Sequence, residues 1–153
     1  MNPTSYVKVG ETAEFAKTLT ESDLAMFCAI SGDFDPIHVD EERASRTIFG
    51  RRIAHGILSM ALLSTVSAII SKRAIDRGSP GISVSMGYDH IRFLKPVFIG
   101  DTLSARYTVQ DIDPVKSRSR SKVEVRNHHG DLVVVGEHLM KWLPPESSTQ
   151  ILA

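Results

Sequence analysis

Residues 31–40, SGDFDPIHVD, carry three carboxylates and one imidazole. Asp33 and His38 are five positions apart, and Pro36 between them stiffens the chain and disfavours helical geometry at Asp35. A carboxylate and an imidazole that touch one water molecule could take a proton from it and deliver a proton to a carbon. These are the two transfers that addition of water to a conjugated double bond requires. The spacing permits this chemistry without proving it.

The same segment is also compatible with a purely structural role or with metal binding. Asp33 and Asp35 are of a residue type that closes turns, and His38 could be an ordinary half-buried histidine; the local pattern alone favours this structural role. Carboxylates and imidazole also suit divalent metals. However, the segment lacks the glycine and distal glutamate of a calcium loop, and no cysteine or paired histidine completes a zinc site. Asp40 is better understood as a helix cap, so we expect no metal here.

A second candidate site lies at His55 and Gly56, where a long apolar helix is expected to begin. The first N–H groups of a helix lack partners within it, so Gly56 N–H could donate to an oxygen that gains negative charge. Gly56 could equally just begin the helix, and a structural hydrogen bond accounts for His55 as well as a catalytic role does. Ser64, two turns further on, could reach the same cavity or simply bond back to a carbonyl one turn earlier.

Three helices are predicted to position these residues. The first starts at Thr20, where TESD offers a capping box with Asp23, and ends at Gly32, directly before the carboxylate segment. A short helical turn is expected over residues 40–46. The longest helix should run from about residue 56 to residue 73, and because it is apolar on most of its circumference it should be covered by protein on nearly every side.

Strands dominate the rest of the chain, where apolar residues recur with period two. Strands are expected over residues 12–17, 82–93, 102–109, 118–126 and 132–143, with a hairpin loop at 127–131. The apolar phase of the 82–93 strand slips by one position, which predicts a bulge at or near Gly87. Short turns between the last four strands favour an antiparallel sheet of α+β class, with the long helix across its concave face.

Length and composition indicate one domain over residues 1–153, with a tail from residue 144 that we expect to be flexible. The 18 basic and 18 acidic residues cancel, so we expect neither nucleic acid nor a membrane as partner. The single cysteine, Cys28, and an N-terminus without a secretory signal favour the cytoplasm. Residues 53–71 lack charge, but His55, Gly56 and several hydroxyl groups favour a buried helix over a membrane span.

Taken together, SGDFDPIHVDEERA, FGRRIAHGILSMALLS and IRFLKPVFIGDTL resemble the motifs of the MaoC-like, (R)-specific enoyl-CoA hydratases. The resemblance runs from about residue 6 to residue 143. It implies the hot-dog fold, in which an antiparallel sheet wraps a long central helix, usually assembled as a homodimer with active sites at or near the subunit interface. It further implies reversible syn hydration of a trans-2-enoyl thioester, carried by coenzyme A or acyl carrier protein, to the (R)-3-hydroxyacyl thioester without metal or organic cofactor.

The resemblance also assigns roles to four residues. It implies that Asp33 and His38 are the acid/base pair, that Gly56 donates to the thioester oxygen, and that Ser64 supports the pair. For Asp33, His38 and Gly56 it reverses the preference for a purely structural role. The motif of Asp, His and His-Gly is specific enough to carry this inference.

Two positions depart from the family pattern. Asp35 stands where relatives usually have asparagine, which adds a negative charge near the acid/base pair. Arg52 stands where relatives often have proline before the Ile-x-His-Gly segment. The approach to Gly56 is then either less rigid, or Arg52 contacts the phosphates of the carrier.

Two other functions fit the same fold. The hot-dog fold also supports thioester hydrolysis, so an acyl-CoA thioesterase is the main alternative, and an acyl-thioester binding module without turnover is the second. The combination of Asp33, His38 and Gly56 favours the hydratase, because its simplest joint use is proton transfer next to a stabilised enolate. The sequence leaves acyl chain length open.

Overall fold

The computed structural model describes residues 2–145, so most of the predicted flexible tail lies outside the described residues. The elements in chain order are a 3-10 helix Pro3–Tyr6, β1 Thr12–Thr18, α1 Glu21–Ser31, α2 Pro36–Val39, α3 Glu41–Ser45, α4 Gly56–Asp76, β2 Ile82–Phe93, β3 Thr102–Asp113, β4 Arg118–Arg126 and β5 Leu132–Leu143. The predicted strands and the predicted long helix are all present. The 3-10 helix and α2 were not expected from the sequence.

The five strands form one antiparallel sheet in the order β1-β3-β4-β5-β2. Helix α4 packs across this sheet, and Leu63, Val66 and Ile70 on the helix join Leu103 and Val123 from the strands in one buried core. Burial of this apolar surface is what stabilises the helix against the sheet. The predicted α+β architecture of a long helix wrapped by an antiparallel sheet is confirmed.

Helix α4 has one face that the sheet leaves uncovered. By length and composition it is the one helix of the described chain that could cross a membrane. Its buried residues pack in the core, but within the single chain it is not covered by protein on nearly every side, which the sequence had predicted. Ile57, Ala61, Ser64 and Ala68 lie on the opposite, exposed side. Three of these four side chains are small, and none of the four is charged.

Helix α1 begins and ends as its sequence predicts. The Thr20 hydroxyl accepts a hydrogen bond from Asp23 N–H at 3.3 Å, and the Asp23 carboxylate accepts one from Thr20 N–H at 2.8 Å. Gly32 closes the helix in the left-handed region, with φ of 74°, a conformation that glycine adopts without a steric penalty. Asp33 therefore follows a fixed turn.

Strand β2 is irregular at two places. The register with β5 shifts between Ser85 and Gly87, where a bulge was predicted, and again between Asp89 and Arg92, where none was. At the second irregularity the chain passes close to Gly136 of β5: a Cβ there would lie 2.4 Å from Ile91 Cδ1. Phe93, the last residue of β2, lies just after the second irregularity and pairs with Val134 of β5.

Candidate active site

The loop after α1 is built from short carboxylate contacts to the backbone. Asp33 Oδ1 accepts a hydrogen bond from Asp35 N–H at 3.1 Å, and Asp35 Oδ1 accepts one from Ile37 N–H at 3.0 Å. Asp35 thereby caps α2, and Pro36 occupies the first helical position, where its missing N–H costs nothing. This short helix carries His38 to the side of Asp33. Both carboxylates thus close turns, and that role coexists with a catalytic one at Asp33.

His38 is held with one ring nitrogen turned inward and the other free. Its Nδ1 lies 2.8 Å from the carbonyl oxygen of Ile53, and since a carbonyl only accepts, Nδ1 carries the proton and Nε2 is the acceptor. The His38 ring stacks on His55 with ring centroids 3.7 Å apart. An imidazole fixed in this tautomer can take a proton at Nε2.

His55 contacts both members of the predicted pair. It is only 4% exposed, and its Nε2 lies 3.2 Å from the carbonyl oxygen of Asp33 and 3.7 Å from the Asp33 carboxylate. Burial lowers the pKa of His55, and the nearby His38 lowers it further, against the opposing effect of the Asp33 contacts. His55 is therefore neutral near pH 7.

Gly56 is the first residue of α4, and His55 before it makes no side-chain cap. The N–H groups of the first two helical positions have no partners within the helix, and Gly56 lines the cavity. A Cβ at Gly56 would lie 2.9 Å from ring atoms of Phe93, which is closer than side chains approach one another. Glycine is consequently required at this position if Phe93 is to pack where it does.

These residues line one cavity of about 620 Å³ between the carboxylate loop, the start of α4, residues 93–97 at and after the end of β2, and the start of β5. Its polar wall contains Asp33, His38, His55 and Gly56. The remaining wall is mainly apolar, and Lys95 lies at its edge, paired with Asp131 at 2.5 Å. The apolar residues of that wall are Phe27, Phe49, Ile53, Ala54, Ile57, Phe93, Leu94, Pro96, Val97, Val133 and Val134.

The structure brings together Asp33, His38 and Gly56 but leaves Ser64 apart. Ser64 is exposed on α4 and does not line the cavity of the single chain, so its supporting role stays a prediction. Sequence reasoning missed Ser59, one turn after His55, and Phe93. Phe93 carried no signal, because its importance lies in its approach to a glycine distant in sequence.

The three side chains Asp33, His38 and His55 also present ligand atoms within 4.8 Å of one another. A metal bound to two imidazoles lies close to both ring planes, about 2.0–2.1 Å from each nitrogen. The rings of His38 and His55 are stacked, and their planes are inclined by only 28°. The two planes therefore intersect much farther from the ring nitrogens than a metal–nitrogen bond extends. The arrangement suits proton transfer and does not fit a metal.

Arg52, which stands where relatives often have proline, is held in place by ion pairs. It pairs with Glu21 on α1 and with Glu41 at the start of α3, the latter at 3.0 Å. Hydrogen bonds to these two carboxylates raise the pKa of Arg52. Arg52 therefore ties the segment before α4 to two helices and is already occupied by carboxylates, which disfavours the alternative that it contacts the phosphates of a carrier.

A long helix wrapped by an antiparallel sheet, with an Asp, a His and the N-terminus of that helix at one cavity, defines a hot-dog protein of hydratase type. Residues 6–131 match the family model described as MaoC like domain, and the chain belongs to this MaoC-like family. It is 39% identical to the (R)-specific enoyl-CoA hydratase of Rhodospirillum rubrum over 72% of this chain and 71% of that protein. It is 35% identical to the 3-hydroxybutyryl-CoA dehydratase of Methylorubrum extorquens over 96% and 87%, respectively.

Solved structures agree with this assignment. The unliganded R-hydratase of Pseudomonas aeruginosa superimposes with a TM-score of 0.75 at 36% identity, covering 99% of this chain and 94% of that one. The (R)-hydratase of A. caviae, described as involved in PHA biosynthesis, gives a TM-score of 0.75 at 30% identity, covering 88% and 96%. The predicted fold and the predicted family are therefore both confirmed.

Proposed function

We propose that this chain is an (R)-specific enoyl-CoA hydratase, a hydro-lyase that reversibly adds water to trans-2-enoyl-CoA. The observation that carries the proposal is the meeting of Asp33, His38 and Gly56 at one wall of an apolar cavity. The relatives named above act on thioesters of this type. A volume of about 620 Å³ lies within the range of small-molecule sites.

The geometry supports a two-group mechanism. Asp33 and His38 bind one water molecule between the free carboxylate oxygen and Nε2. The water oxygen bonds to the β-carbon, its proton passes to the pair, and the α-carbon receives a proton from the pair, so both new bonds form on the same face of the substrate. Before the α-carbon is protonated, the electrons of the double bond shift toward the thioester oxygen, which accepts a hydrogen bond from Gly56 N–H. They then return to form the bond between the α-carbon and the proton. One such donor lowers the barrier by about 2.7–4 kcal/mol.

The first experiment follows crotonyl-CoA by loss of enoyl thioester absorbance and traps the product with a dehydrogenase specific for (R)-3-hydroxyacyl-CoA. We expect absorbance loss coupled to the trap, abolished by Asp33→Asn and by His38→Ala. Release of free thiol would instead indicate a thioesterase, and tight binding without product a binding module. An Asp33→Asn variant with full activity would contradict the assigned pair.

We also propose that two copies assemble along β2. This strand lies at the edge of the sheet and pairs only with β5 within the described chain. Ile82 is 58% exposed, Val84 40% and Met86 47%. An edge strand with exposed apolar side chains is a template for pairing with another chain, and the uncovered face of α4 with Ser64 would be covered in the same assembly.

Sedimentation tests this assembly directly. The wild-type chain should sediment as a dimer, and Val84→Lys should shift it toward monomer, because a charge on the paired edge opposes association. Val115→Lys is the matched control, since Val115 is 92% exposed on the β3–β4 turn, away from that edge. A monomeric wild type, or a dimer that persists in Val84→Lys but not in Val115→Lys, would contradict β2 pairing.

We further propose that the protein works in the cytoplasm. The support is Cys28, the single cysteine, which is buried and free, as in proteins of reducing compartments. Fractionation of cells that express the full chain tests this location. Recovery in an exported or membrane fraction would contradict it.

A further inference from the structure

We propose that His55 is a positioning residue for hydration: it holds Asp33, His38 and Gly56 in their catalytic arrangement without exchanging protons with the substrate. The inference rests on the proposed function and extends it to a residue outside the acid/base pair. Its basis is that one side chain and its own peptide bond reach all three groups.

The contacts of His55 are separate and of different kinds. Its ring face covers His38, 3.7 Å away between centroids, which limits rotation of the His38 ring about the hydrogen bond from Nδ1 to Ile53. Its Nε2–H donates to the carbonyl oxygen of Asp33 at 3.2 Å, which fixes the backbone that carries the carboxylate. Its carbonyl carbon is bonded to the nitrogen of Gly56, so any displacement of His55 also displaces the N–H donor.

Two residues of α1 contact the His55 ring. Phe27 on α1 packs against its ring at 4.6 Å between centroids, and Cys28 Sγ lies 4.0 Å from Nε2. The side chain lines the cavity but is only 4% exposed, so water and substrate have little access to its edge. A buried ring with packed neighbours can transmit rigidity from α1 to the site, whereas a proton donor must reach its substrate.

The electrostatic surroundings favour a neutral ring. Asp33 and Asp35 attract a positive charge on His55, while burial and His38 oppose it more strongly. A neutral His55 donates one hydrogen bond and leaves His38 free to become the cation during proton transfer. Two adjacent imidazolium ions would repel each other and separate the stack.

Three substitutions separate the two side-chain contacts. His55→Gln retains an N–H donor for the Asp33 carbonyl but loses the stacked ring; His55→Phe retains the ring but loses the donor; His55→Ala loses both. Because a misplacement of about 1 Å costs about 100-fold in rate, we expect kcat to fall about 10- to 100-fold in His55→Ala, with KM changed less than about threefold. Gln and Phe should each recover part of the loss.

A readout that does not need activity completes the test. Long-range ¹H–¹⁵N correlation spectra of the wild-type protein should show opposite tautomers, with the proton on Nδ1 in His38 and on Nε2 in His55. His138→Gln is the matched control for the kinetics of the His55 variants. It removes a buried histidine from the sheet, away from the cavity residues, and should lower the melting temperature while leaving kcat unchanged.

The outcomes separate this inference from the proposed function. A wild-type protein that hydrates no enoyl-CoA overturns the function, while the tautomers still test the arrangement. A proton on Nδ1 of His55 overturns the positioning role, and so does a folded His55→Ala variant with kcat within about threefold of wild type. A loss confined to KM would assign His55 to substrate binding and also overturn it.

Discussion

Two requirements apply to Gly56. Its N–H is the proposed donor to the thioester oxygen, and its lack of a side chain leaves room for the Phe93 ring. We expect Gly56→Ala to lower kcat although the N–H group remains, because the new Cβ would lie 2.9 Å from the Phe93 ring and one of the two must move. The measurement is steady-state kinetics with crotonyl-CoA beside a melting curve. A loss of about 100-fold in kcat is consistent with a donor misplaced by about 1 Å.

The steric cause has its own control. Phe93 is 49% exposed, so a smaller side chain there should be tolerated. The double variant Gly56→Ala with Phe93→Leu should regain part of the lost kcat, since leucine frees the space that the added methyl group needs. If the double variant is no better than Gly56→Ala, the glycine is required for a reason other than the aromatic ring.

Asp35 gives a prediction about pH. Asparagine at this position would keep the oxygen that accepts from Ile37 N–H, so α2 should remain capped while one negative charge is lost. Because the Asp35 charge raises the pKa of His55, and a protonated His55 would repel His38 as that residue takes up a proton, we expect the acid limb of the kcat/KM profile in Asp35→Asn to move to lower pH. Asp40→Asn, which alters the cap of α3 instead, should leave the limb in place.

At this scale the sequence predicts which residue types are present but not which of them meet. Asp33 and His38 could be proposed because they are close along the chain. The stack of His38 on His55 and the approach of Phe93 to Gly56 depend on tertiary packing. The spacing of these residues along the sequence does not predict such contacts. Ser64 shows the converse: helical spacing placed it on the face of Gly56, yet packing leaves it exposed.

At the level of secondary-structure elements, the close packing of β2 on β5 depends on a glycine, Gly136. A Cβ at Gly136 would lie 2.4 Å from Ile91 Cδ1 and 3.1 Å from the carbonyl oxygen of Asp89. We therefore expect Gly136→Ala to lower the free energy of unfolding by about 1–3 kcal/mol through overpacking, measured by urea denaturation. Ile91→Ala in the same background should restore part of the stability; failure to do so would place the strain at the backbone of Asp89.

Local signals determine which element boundaries were predictable. The capping box at Thr20 and the left-handed Gly32 are determined by residues within one turn, and both ends of α1 were predicted correctly. The second irregularity of β2 has no such local signal; it lies where the strand passes close to Gly136 of β5. Helix α2 was missed because Pro36 disfavours helix at the residue before it, while also serving as a good first residue of a helix.

For the whole molecule, a buried histidine in the sheet makes stability depend on pH. His138 is fully buried, with Nε2 2.8 Å from Ser85 Oγ and Nδ1 2.9 Å from the Tyr107 hydroxyl. Burial lowers the pKa of His138 to about 4 and raises the pKa of Tyr107 to about 12. Both groups are thus neutral in the folded protein over a wide pH range.

The sign of the effect follows from linkage. The unfolded chain binds a proton at His138 near pH 6.5 and the folded chain only near pH 4, so the stabilisation is complete above 6.5 and is lost as the pH falls between these values. We expect this group to contribute about 3 kcal/mol to that loss, measured by urea denaturation from about pH 7.5 to about pH 4. In His138→Gln the slope should be smaller; an unchanged slope would assign the effect to other groups.

The proposed acid, base and oxyanion donor all come from residues 33–56, whereas much of the cavity wall comes from the distant ends of β2 and β5. The reacting groups thus come from one segment, while about half of the apolar wall comes from residues 93–97, 133 and 134. A chimera that takes the second half of the chain from another family member should keep the reaction while acquiring the donor's preference for acyl length. Mutagenesis aimed at new substrates can accordingly begin with residues 93–97, 133 and 134, leaving the catalytic segment intact.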